Sequence, residues 1–330
     1  MIEAKAKVVR YKFRKHPDAD ALSIAEIEGS AWQVVSRTAD FAPEGTAIYI
    51  PVDTVVPEVP EFEFLRDRHF RIKAIRLRGE YSYGLLMPNK DNLPVGEDVT
   101  DRLGIKKYEP PTPIDMSGEV VPHAEVDWIC VYTDVERYEN FPDVFKDQEE
   151  VVVTEKIHGS NLRVSRNDDN LFVGGHRWMW KESEKNLYWK AIRQNGFDKI
   201  LLERLPDKMV LFGEVYGKKV QKLQYGSETQ KIVFYDAFCD GRYLNWDEFI
   251  ELMNQMGLSG SIVPLIYKGG YDLAMIKNLA TGNTLLGGDH HKEGVVVKPV
   301  IERVDAKLGR VTLKFINPAY ETSKERTDFH

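Results

Sequence analysis

The first hundred residues contain short segments of alternating hydrophobicity that are separated by turn signals, with no helical period between them. The segments with strand character are 5–13, 22–28, 32–36, 46–50 and 71–77. Turn signals such as His16-Pro17-Asp18 and Pro43-Glu44-Gly45 lie between them. Short strands at this spacing are typical of a small β-barrel, so we expect the chain to begin with one.

The character of the sequence changes after a segment rich in Pro, Gly, Asp and Glu (91–122), whose composition favours a linker. Beyond it, the expected strands are 151–154, 171–174, 209–212, 232–237 and 294–298, and the expected helices are 182–195, 200–204 and 246–256. This alternation predicts an α+β domain over 121–330. It would follow a first domain over 1–120 that ends in the linker.

Composition is ordinary for a soluble protein, with 42% hydrophobic residues, and 330 residues suffice for two domains. No apolar run is long enough to cross a bilayer, and the first residues lack the apolar stretch of a signal peptide. Cys130 and Cys239 lie in apolar contexts, which favours reduced thiols over a disulfide. We therefore expect a cytoplasmic protein without membrane contact, and a monomer.

A net charge of −7 argues against a protein that coats nucleic acid in general, but it allows a local basic surface. Six basic residues against a single acid lie between positions 66 and 78. Four of them, Arg71, Lys73, Arg76 and Arg78, are predicted to lie on the exposed face of a strand. That face would meet a phosphate backbone, and binding would depend on salt.

A lysine stands where a valine-rich strand (151–153) runs into a glycine turn, in Glu155-Lys156-Ile157-His158-Gly159-Ser160-Asn161. A lysine beside such a turn can bring its amine close to a phosphate. Because the amine is normally protonated near neutral pH, it becomes nucleophilic only through desolvation or nearby cationic charge. The pattern suggests a lysine that is covalently attached to a nucleotide, although a surface hairpin could carry the same residue types.

Further segments with polar residues beside glycines or inside apolar strands follow Lys156 in order. They are Gly174-Gly175-His176-Arg177, Gly213-Glu214-Val215-Tyr216-Gly217, Ile232-Val233-Phe234-Tyr235-Asp236, Lys292-Glu293-Gly294-Val295-Val296-Val297-Lys298 and the alternating strand 310–316. The pattern places Glu214 at a strand end and Glu293 at a strand start. Taken singly, each segment has a structural explanation: Asp236 could be a satisfied buried carboxylate, and Lys314 a solvated side chain.

Together, these segments resemble the ordered motifs of the covalent nucleotidyltransferases, which comprise DNA ligases, RNA ligases and mRNA capping enzymes. The resemblance covers residues 150–318. Lys-x-His-Gly-x-Asn at 156–161 is similar to the RNA ligases, whereas DNA ligases and capping enzymes favour Lys-x-Asp-Gly, so His158 replaces an aspartate. A barrel before the catalytic domain resembles the Deinococcus- and Naegleria-type RNA ligases. The resemblance implies an OB-type β-barrel, followed by an adenylyltransferase domain with antiparallel sheets and flanking helices.

The implied reaction has three steps. Lys156 attacks the α-phosphate of ATP, AMP passes to an RNA 5′-phosphate, and a 3′-hydroxyl displaces AMP to seal the strand. The partner would be RNA with 3′-hydroxyl and 5′-phosphate ends, in a nicked duplex that is being repaired. Glu214 and Glu293 are hard oxygen donors and fit Mg²⁺ or Mn²⁺.

The resemblance also implies roles for individual side chains. Lys298 and Lys314 are the candidate basic groups that would lower the pKa of Lys156 and offset charge on the α-phosphate, and the resemblance places Lys314 on that phosphate. His158 would orient the pyrophosphate or the α-phosphate. The residues implied in nucleotide binding are Glu155, Ile157, Asn161, Arg177, Glu214, Tyr235, Asp236, Glu293 and Val295.

Among these residues, Glu155 would accept a hydrogen bond from the adenine amino group. Tyr235 would stack on adenine, with Phe234 as its rival if the register differs by one. Asn161 and Arg177 resemble residues that hold the ribose and the RNA 5′-phosphate, and the planar guanidinium of Arg177 suits a phosphate.

Three alternatives remain open at this stage. The chain could be a DNA ligase or a capping-type guanylyltransferase. Labelling with ATP against GTP would separate the guanylyltransferase. It could also be a tRNA- or RNA-binding protein that has lost catalysis.

The last motif of the family usually carries two lysines separated by one residue, whereas Thr312 and Ile316 flank Lys314 here.

Overall fold

A computed structural model describes residues 5–108 and 118–323 of the protein. The chain forms two compact units: Met1–Pro110 with Tyr138–Pro142, and Pro111–Arg137 with Asp143–His330. The return of Tyr138–Pro142 to the first unit is not predicted by the sequence. It depends on non-local contacts, such as the hydrogen bond from Trp32 Nε1 to Asn140 Oδ1 at 2.7 Å.

The first unit is built from short strands, as predicted. They are β1 (Lys7–Lys15), β2 (Leu22–Ile27), β3 (Gln33–Arg37), β4 (Glu44–Ile50), β5 (Thr54–Val55), β6 (Arg71–Ile72), β7 (Ile75–Leu77), β8 (Glu80–Ser82), β9 (Leu85–Pro88) and β10 (Lys106–Lys107). Five of them form an antiparallel sheet in the order β3-β2-β1-β4-β9. Strand β1 contributes buried residues from both of its faces, because Val8 packs in one hydrophobic cluster and Tyr11 in another.

The predicted strand 71–77 is not continuous. It is interrupted at Lys73–Ala74, so β6 pairs with β5 while β7 pairs with β8 in a separate hairpin. A 3₁₀ helix over Pro60–Arg68, which the sequence pattern does not predict, precedes β6. The four basic residues therefore do not share one strand face.

The second unit contains thirteen strands and five helices among its described residues. The strands are β11 (Glu136–Arg137), β12 (Glu150–Lys156), β13 (Ser160–Asn167), β14 (Asn170–Gly174), β15 (Met179–Trp180), β16 (Val210–Gly217), β17 (Gln230–Cys239), β18 (Arg242–Tyr243), β19 (Leu265–Gly270), β20 (Gly294–Pro299), β21 (Val304–Asp305), β22 (Gly309–Arg310) and β23 (Leu313–Ile316). The helices are α1 (Leu187–Gln194), α2 (Phe197–Arg204), α3 (Trp246–Met256), α4 (Leu273–Leu279) and α5 (Pro318–Glu321).

Two sheets form the framework of this unit. One has the order β11-β23-β20-β12-β19 and the other β15-β14-β13-β16-β17-β18; apart from the parallel pair β11–β23, the neighbouring strands are antiparallel. The chain passes from the first sheet to the second between β12 and β13. Residues 157–159 make this connection, so the predicted lysine motif lies where the two sheets meet.

Local signals explain the helix ends. Helix α3 follows Asn245, whose backbone N–H donates to Glu248 at 2.8 Å, and it ends at Gly257, whose φ of 74° favours glycine. Its predicted bounds are confirmed. Helix α1 begins later than predicted, because the side chain of Asn186 caps it by accepting from the backbone N–H groups of Tyr188 and Trp189.

Both cysteines are free thiols, as expected, and burial raises the pKa of each. None of the helices within 5–108 and 118–323 has the length and apolar character needed to span a bilayer.

Candidate active site

Lys156 is the last residue of β12, and the turn that follows it requires a glycine. A Cβ atom on Gly159 would lie 2.2 Å from the carbonyl oxygen of Val215 and 2.7 Å from Cγ of Glu214. Any larger residue would push β16 away from the turn. Gly159 therefore allows the connection between the sheets to pass close to a carboxylate.

The ammonium group of Lys156 is paired with a buried carboxylate. Its Nζ lies 2.8 Å from Oε1 of Glu293, and the lysine side chain is 21% exposed, against 3% for the glutamate. The other oxygen of Glu293 lies 3.5 Å from Nδ1 of His158, which also contacts the hydroxyl of Tyr320 at 3.1 Å. Glu293 directly precedes β20, as predicted, and the register pairs Lys156 with Gly294.

Glu214 is the second carboxylate of the site. It lies inside β16 and not at a strand end, so the prediction of its position in the strand is wrong. Burial raises its pKa to about 8; the charge of Lys156 opposes this shift and that of Glu293 adds to it. Lys156 and Glu293 therefore lie close enough to Glu214 for their charges to affect its pKa.

The raised pKa of Glu214 predicts a loss of stability with rising pH. The folded protein keeps a proton on this group between its ordinary value of 4.5 and about 8, whereas the unfolded chain has lost it. The contribution of Glu214 to the free energy of unfolding is therefore complete below pH 4.5, and it disappears as the pH rises to 8. We expect Glu214→Gln, which stays neutral, to unfold at higher denaturant concentration than the wild type at pH 8. The difference should vanish near pH 4.5 and grow by about 1.4 kcal/mol per pH unit, to about 4–5 kcal/mol at pH 8.

Manganese provides the control for this prediction. A divalent cation favours the ionised carboxylate, so Mn²⁺ should stabilise the wild type at pH 8 more than it stabilises Glu214→Gln. Equal stability of the two proteins at both pH values would contradict the raised pKa.

Asn161 and Tyr235 lie on the same side of the second sheet as Glu214. Asn161 is directly opposite Glu214 in the register of β13 and β16, and its Nδ2 donates to the hydroxyl of Tyr235 at 2.7 Å. Its Oδ1 is buried and has no hydrogen-bond partner among residues 5–108 and 118–323. Phe234, the rival for adenine stacking, is fully buried in the core, whereas Tyr235 is half-buried. Of the two rings, Tyr235 is the one that borders the site.

The carboxylate of Glu155, the residue before the lysine, already accepts two hydrogen bonds. Its Oε1 accepts from Thr284 Oγ1 at 2.5 Å, and its Oε2 accepts from the backbone N–H of Leu285 at 2.7 Å. Burial raises its pKa, and these hydrogen bonds oppose the shift. Each carboxylate oxygen keeps acceptor capacity beyond these bonds. Glu155 therefore fixes the segment around Thr284 beside the lysine.

Lys298 and Asp236 do not occupy the positions expected of phosphate- and nucleotide-binding groups. The ammonium of Lys298 is 6% exposed and ion-pairs with Asp236 and, at 3.5 Å, with Glu302. Asp236 also accepts from Arg310 Nη2 at 3.0 Å and from the hydroxyl of Tyr132 at 2.6 Å. Burial alone would raise the pKa of Asp236, but Arg310 and Lys298 outweigh it and lower the pKa.

These contacts correct two expectations. A cation that is buried between two carboxylates cannot reach a phosphate without leaving both partners, so Lys298 is a structural residue. Asp236 is the centre of the same ionic network, which is the structural interpretation that its sequence context also allowed.

Lys314 stays compatible with its predicted role. Val296 pairs with Thr154 on one side and with Lys314 on the other, so Lys314 lies on the face of the sheet that carries Lys156. The strand predicted over 310–316 is interrupted between β22 and β23, and Arg310 faces Asp236.

The side chains of Ile157 and Val295 are buried. Ile157 is part of the hydrophobic core, and Val295 is fully buried on the sheet face opposite Lys156. The part predicted for these two residues in nucleotide binding stays a prediction.

The predicted RNA contacts also divide into two groups. Arg71 is 3% exposed; its Nη2 donates to Asp53 at 2.8 Å, and its guanidinium lies 3.5 Å from the ring centroid of Tyr108. It is a structural residue and not part of a binding surface. Arg76 and Arg78 are exposed on the β7–β8 hairpin, and Lys73 is half-buried. Arg177 is exposed in the turn between β14 and β15.

Sequence reasoning missed three residues that shape the site. Tyr225 accepts from the backbone N–H of His158 at 2.6 Å, Tyr320 contacts its ring, and Thr284 holds Glu155. The Asn317-Pro318 pair, a helix start with proline at the first position, was a signal for α5 and hence for Tyr320. The sequence gives no comparable signal for Thr284 or Tyr225.

The donor set fits a magnesium or manganese ion. Glu214, Glu293 and the unsatisfied Oδ1 of Asn161 are hard oxygen donors, and a cation would offset the repulsion between the two carboxylates. Within the described ranges, no group of three or more His, Cys, Asp and Glu side chains is arranged to hold a metal. Such an ion would therefore need phosphate or water oxygens to complete its coordination, as Mg²⁺ commonly does.

Comparisons with known proteins identify the family of the chain. The RNA ligase family matches residues 149–316, just over half of the 330 residues, and an OB-fold domain family matches residues 6–89. The chain belongs to the RNA ligase family. The first unit is an OB fold, and the resemblance inferred from the ordered motifs is confirmed. No curated protein sequence matches the chain.

Solved structures of Naegleria gruberi RNA ligase are similar over nearly the whole chain. The ligase with PPi has a TM-score of 0.78 at 26% identity, covering 97% of this chain and 98% of that one. A mutant with ATP and Mn has a TM-score of 0.80 at 26% identity, covering 97% and 99%. A mutant with AMP and Mn also has a TM-score of 0.80 at 26% identity, covering 98% and 100%.

Proposed function

We propose that this protein joins RNA ends in an ATP-dependent reaction with a covalent lysyl-AMP intermediate. The amine of Lys156 attacks the α-phosphorus of ATP, forms a P–N bond and releases pyrophosphate. The 5′-phosphate oxygen of RNA then displaces the lysine and takes AMP. Finally, a 3′-hydroxyl attacks the activated 5′-phosphorus, forms a phosphodiester and releases AMP.

The observation that carries this proposal is the 2.8 Å contact between Nζ of Lys156 and Oε1 of the buried Glu293. Glu214 lies close enough for both charges to affect its pKa. A lysine at a sheet junction, beside two carboxylates that fit a divalent cation, can be positioned against a triphosphate. The Naegleria ligase has been solved with ATP and Mn, with AMP and Mn, and with PPi. ATP and PPi are the substrate and the released product of such a first step, and AMP is the group that the lysine would carry.

Individual residues have distinct tasks in this proposal. Tyr235 and Glu155 bind the adenine, Asn161 offers its unsatisfied Oδ1 to the ribose or the cation, and Lys314 faces the α-phosphate. His158, held by Tyr225 and Tyr320, orients the departing pyrophosphate. A bound Mg²⁺ or Mn²⁺ would neutralise phosphate charge and favour the deprotonated lysine.

The test is the mass of the Lys156 peptide. Incubation with ATP should add the mass of AMP to that peptide, and GTP should add nothing. A label from GTP would indicate a capping-type enzyme. If no nucleotide ever labels the protein while it still binds RNA, the protein is an inactive RNA-binding relative.

We further propose that the substrate is a nick in duplex RNA and that the protein acts as a cytoplasmic monomer. A nicked duplex should be sealed faster than the same strands supplied unpaired. Size-exclusion chromatography with light scattering tests the monomer; faster sealing of unpaired strands would instead favour a single-stranded substrate.

The first domain, which we place at residues 1–120, is proposed to bind the RNA backbone through the exposed Arg76 and Arg78. Replacing both by alanine should weaken RNA binding at every sequence. It should also reduce the slope of log affinity against log salt by about 0.7–0.9 for each lost phosphate contact. Titrations at several salt concentrations measure this slope.

Arg71→Ala is the control, because it removes a single arginine charge from a buried position of the same unit. It should lower the free energy of unfolding by about 1–3 kcal/mol and leave the salt slope unchanged. A reduced slope in Arg71→Ala, or an unchanged slope in the double variant, would contradict this division.

A further inference from the structure

An exposed tryptophan stands beside Arg177 and has no part in the site described above. Trp178 is 56% exposed in the turn between β14 and β15, and His176 and Arg177 before it are exposed as well. Tryptophan is highly buried on average in folded proteins, so its exposure next to a cation calls for an explanation.

The turn that carries Trp178 is fixed from both sides. The backbone N–H of Gly175 donates to the carbonyl of Trp178 at 2.9 Å, and Arg163 Nε donates to the carbonyl of Gly175 at 2.8 Å. Arg163 is 3% exposed, and its Nη1 also donates to the carbonyl of Cys130 at 3.1 Å. A Cβ on Gly174 would lie 2.2 Å from the carbonyl of Trp178, so the chain is closely packed there. A rigid backbone therefore presents the indole ring to solvent.

This turn is also connected to the residues around Lys156. A Cβ on Gly175 would lie 2.3 Å from the hydroxyl of Tyr188, and that hydroxyl is 2.9 Å from Oγ of Ser160. Ser160 begins β13, directly after the turn that follows Lys156. The contacts from the Trp178 carbonyl to Gly175, from Gly175 to Tyr188 and from Tyr188 to Ser160 connect the backbone of Trp178 to the residues beside Lys156.

We propose that Trp178 is a stacking platform for the base of the RNA nucleotide that carries the 5′-phosphate. This inference rests on the proposed function and extends it to an RNA contact. A nucleobase offers a flat π-face whatever its identity, and stacking on an aromatic ring is tolerant of sequence. Arg177 would hold the phosphate of the same nucleotide through its planar fork of donors. Among residues 5–108 and 118–323, Arg177 has no ion pair that would compete for this role.

The test compares two RNAs that carry a 5′-phosphate and differ only in the terminal nucleotide, which is either normal or abasic. Dissociation constants are measured by fluorescence anisotropy for the wild type, Trp178→Ala and Trp178→Phe. The labelled fraction of Lys156 with ATP is determined for each preparation. We expect Trp178→Ala to weaken binding of the normal RNA by about 5- to 100-fold. It should hardly change binding of the abasic RNA, and Trp178→Phe should restore most of the loss.

Ile301→Ala is a matched control, since Ile301 is another exposed apolar residue of the same unit, at 64% exposure. It should change the dissociation constants of both RNAs by the same small factor. An equal loss on both RNAs in Trp178→Ala, or no loss on either, overturns the stacking role. Failure of the proposed function would look different, because the wild type itself would then carry no AMP on Lys156.

Discussion

Lys156→Arg and Lys156→Ala should both lose all labelling by ATP, while each should still seal RNA that already carries AMP on its 5′-phosphate. The amine is needed only to form the lysyl-AMP, and a pre-adenylylated end bypasses that step. Arginine keeps the charge beside Glu293 but stays protonated at any working pH, so it separates charge from nucleophilicity. Radioactive ATP measures the first step, and a gel assay with pre-adenylylated RNA measures the last.

The two variants also report on the electrostatics of the site. Alanine removes the cation that offsets Glu214 and Glu293, whereas arginine retains it, so Lys156→Arg should seal pre-adenylylated RNA better than Lys156→Ala. A label on another lysine in either variant would show that the nucleophile lies elsewhere. Lys181→Ala, which changes an exposed lysine paired with Glu119, should label as the wild type does.

Asp236→Asn should lower the free energy of unfolding by about 3–5 kcal/mol, because it leaves Lys298 and Arg310 buried without their shared carboxylate. Glu302, which pairs with both cations, compensates only in part. Chemical denaturation monitored by circular dichroism measures the change. A second replacement, Lys298→Met, should recover part of the loss, since it removes one of the uncompensated charges.

Glu228→Gln is a suitable comparison. The carboxylate of Glu228 pairs with Lys218 on the surface, and the Glu228 side chain is 84% exposed. The loss of this ion pair should hardly move the unfolding midpoint. If Asp236→Asn unfolds like the wild type but is no longer labelled by ATP, then Asp236 is a nucleotide ligand, as the sequence suggested. The buried network would then have little structural importance.

Parts of the fold could be predicted from local signals. Helix α3 has its predicted bounds because Gly257 and the Asn245–Glu248 pair mark its ends within a few residues. Strand β16 is longer than predicted, because Gly213 is not a terminus. Its Cβ position lies 2.5 Å from the carbonyl of Val233, so this glycine serves the close approach of β17 and leaves Glu214 inside the strand.

In the candidate site, too, local features were predictable and long-range contacts were not. The position of Lys156 before a glycine turn was predictable, because strand period and turn chemistry are local properties. The partner of Lys298 was not, since Asp236 lies in a different sheet and sixty-two residues away along the chain. The Glu155–Thr284 contact spans a still longer separation of 129 residues.

By itself, the sequence determined where strands such as β12, β17 and β20 lie, the order of the motifs and the membership in the RNA ligase family. It could also assign residues to strand faces, because side chains alternate along a strand. Only the tertiary structure decided which carboxylate meets which cation: Glu293 meets Lys156, while Asp236 takes Lys298 and Arg310. The reason is that burial and pairing depend on how the two sheets pack, and that packing joins residues whose spacing along the chain carries no period.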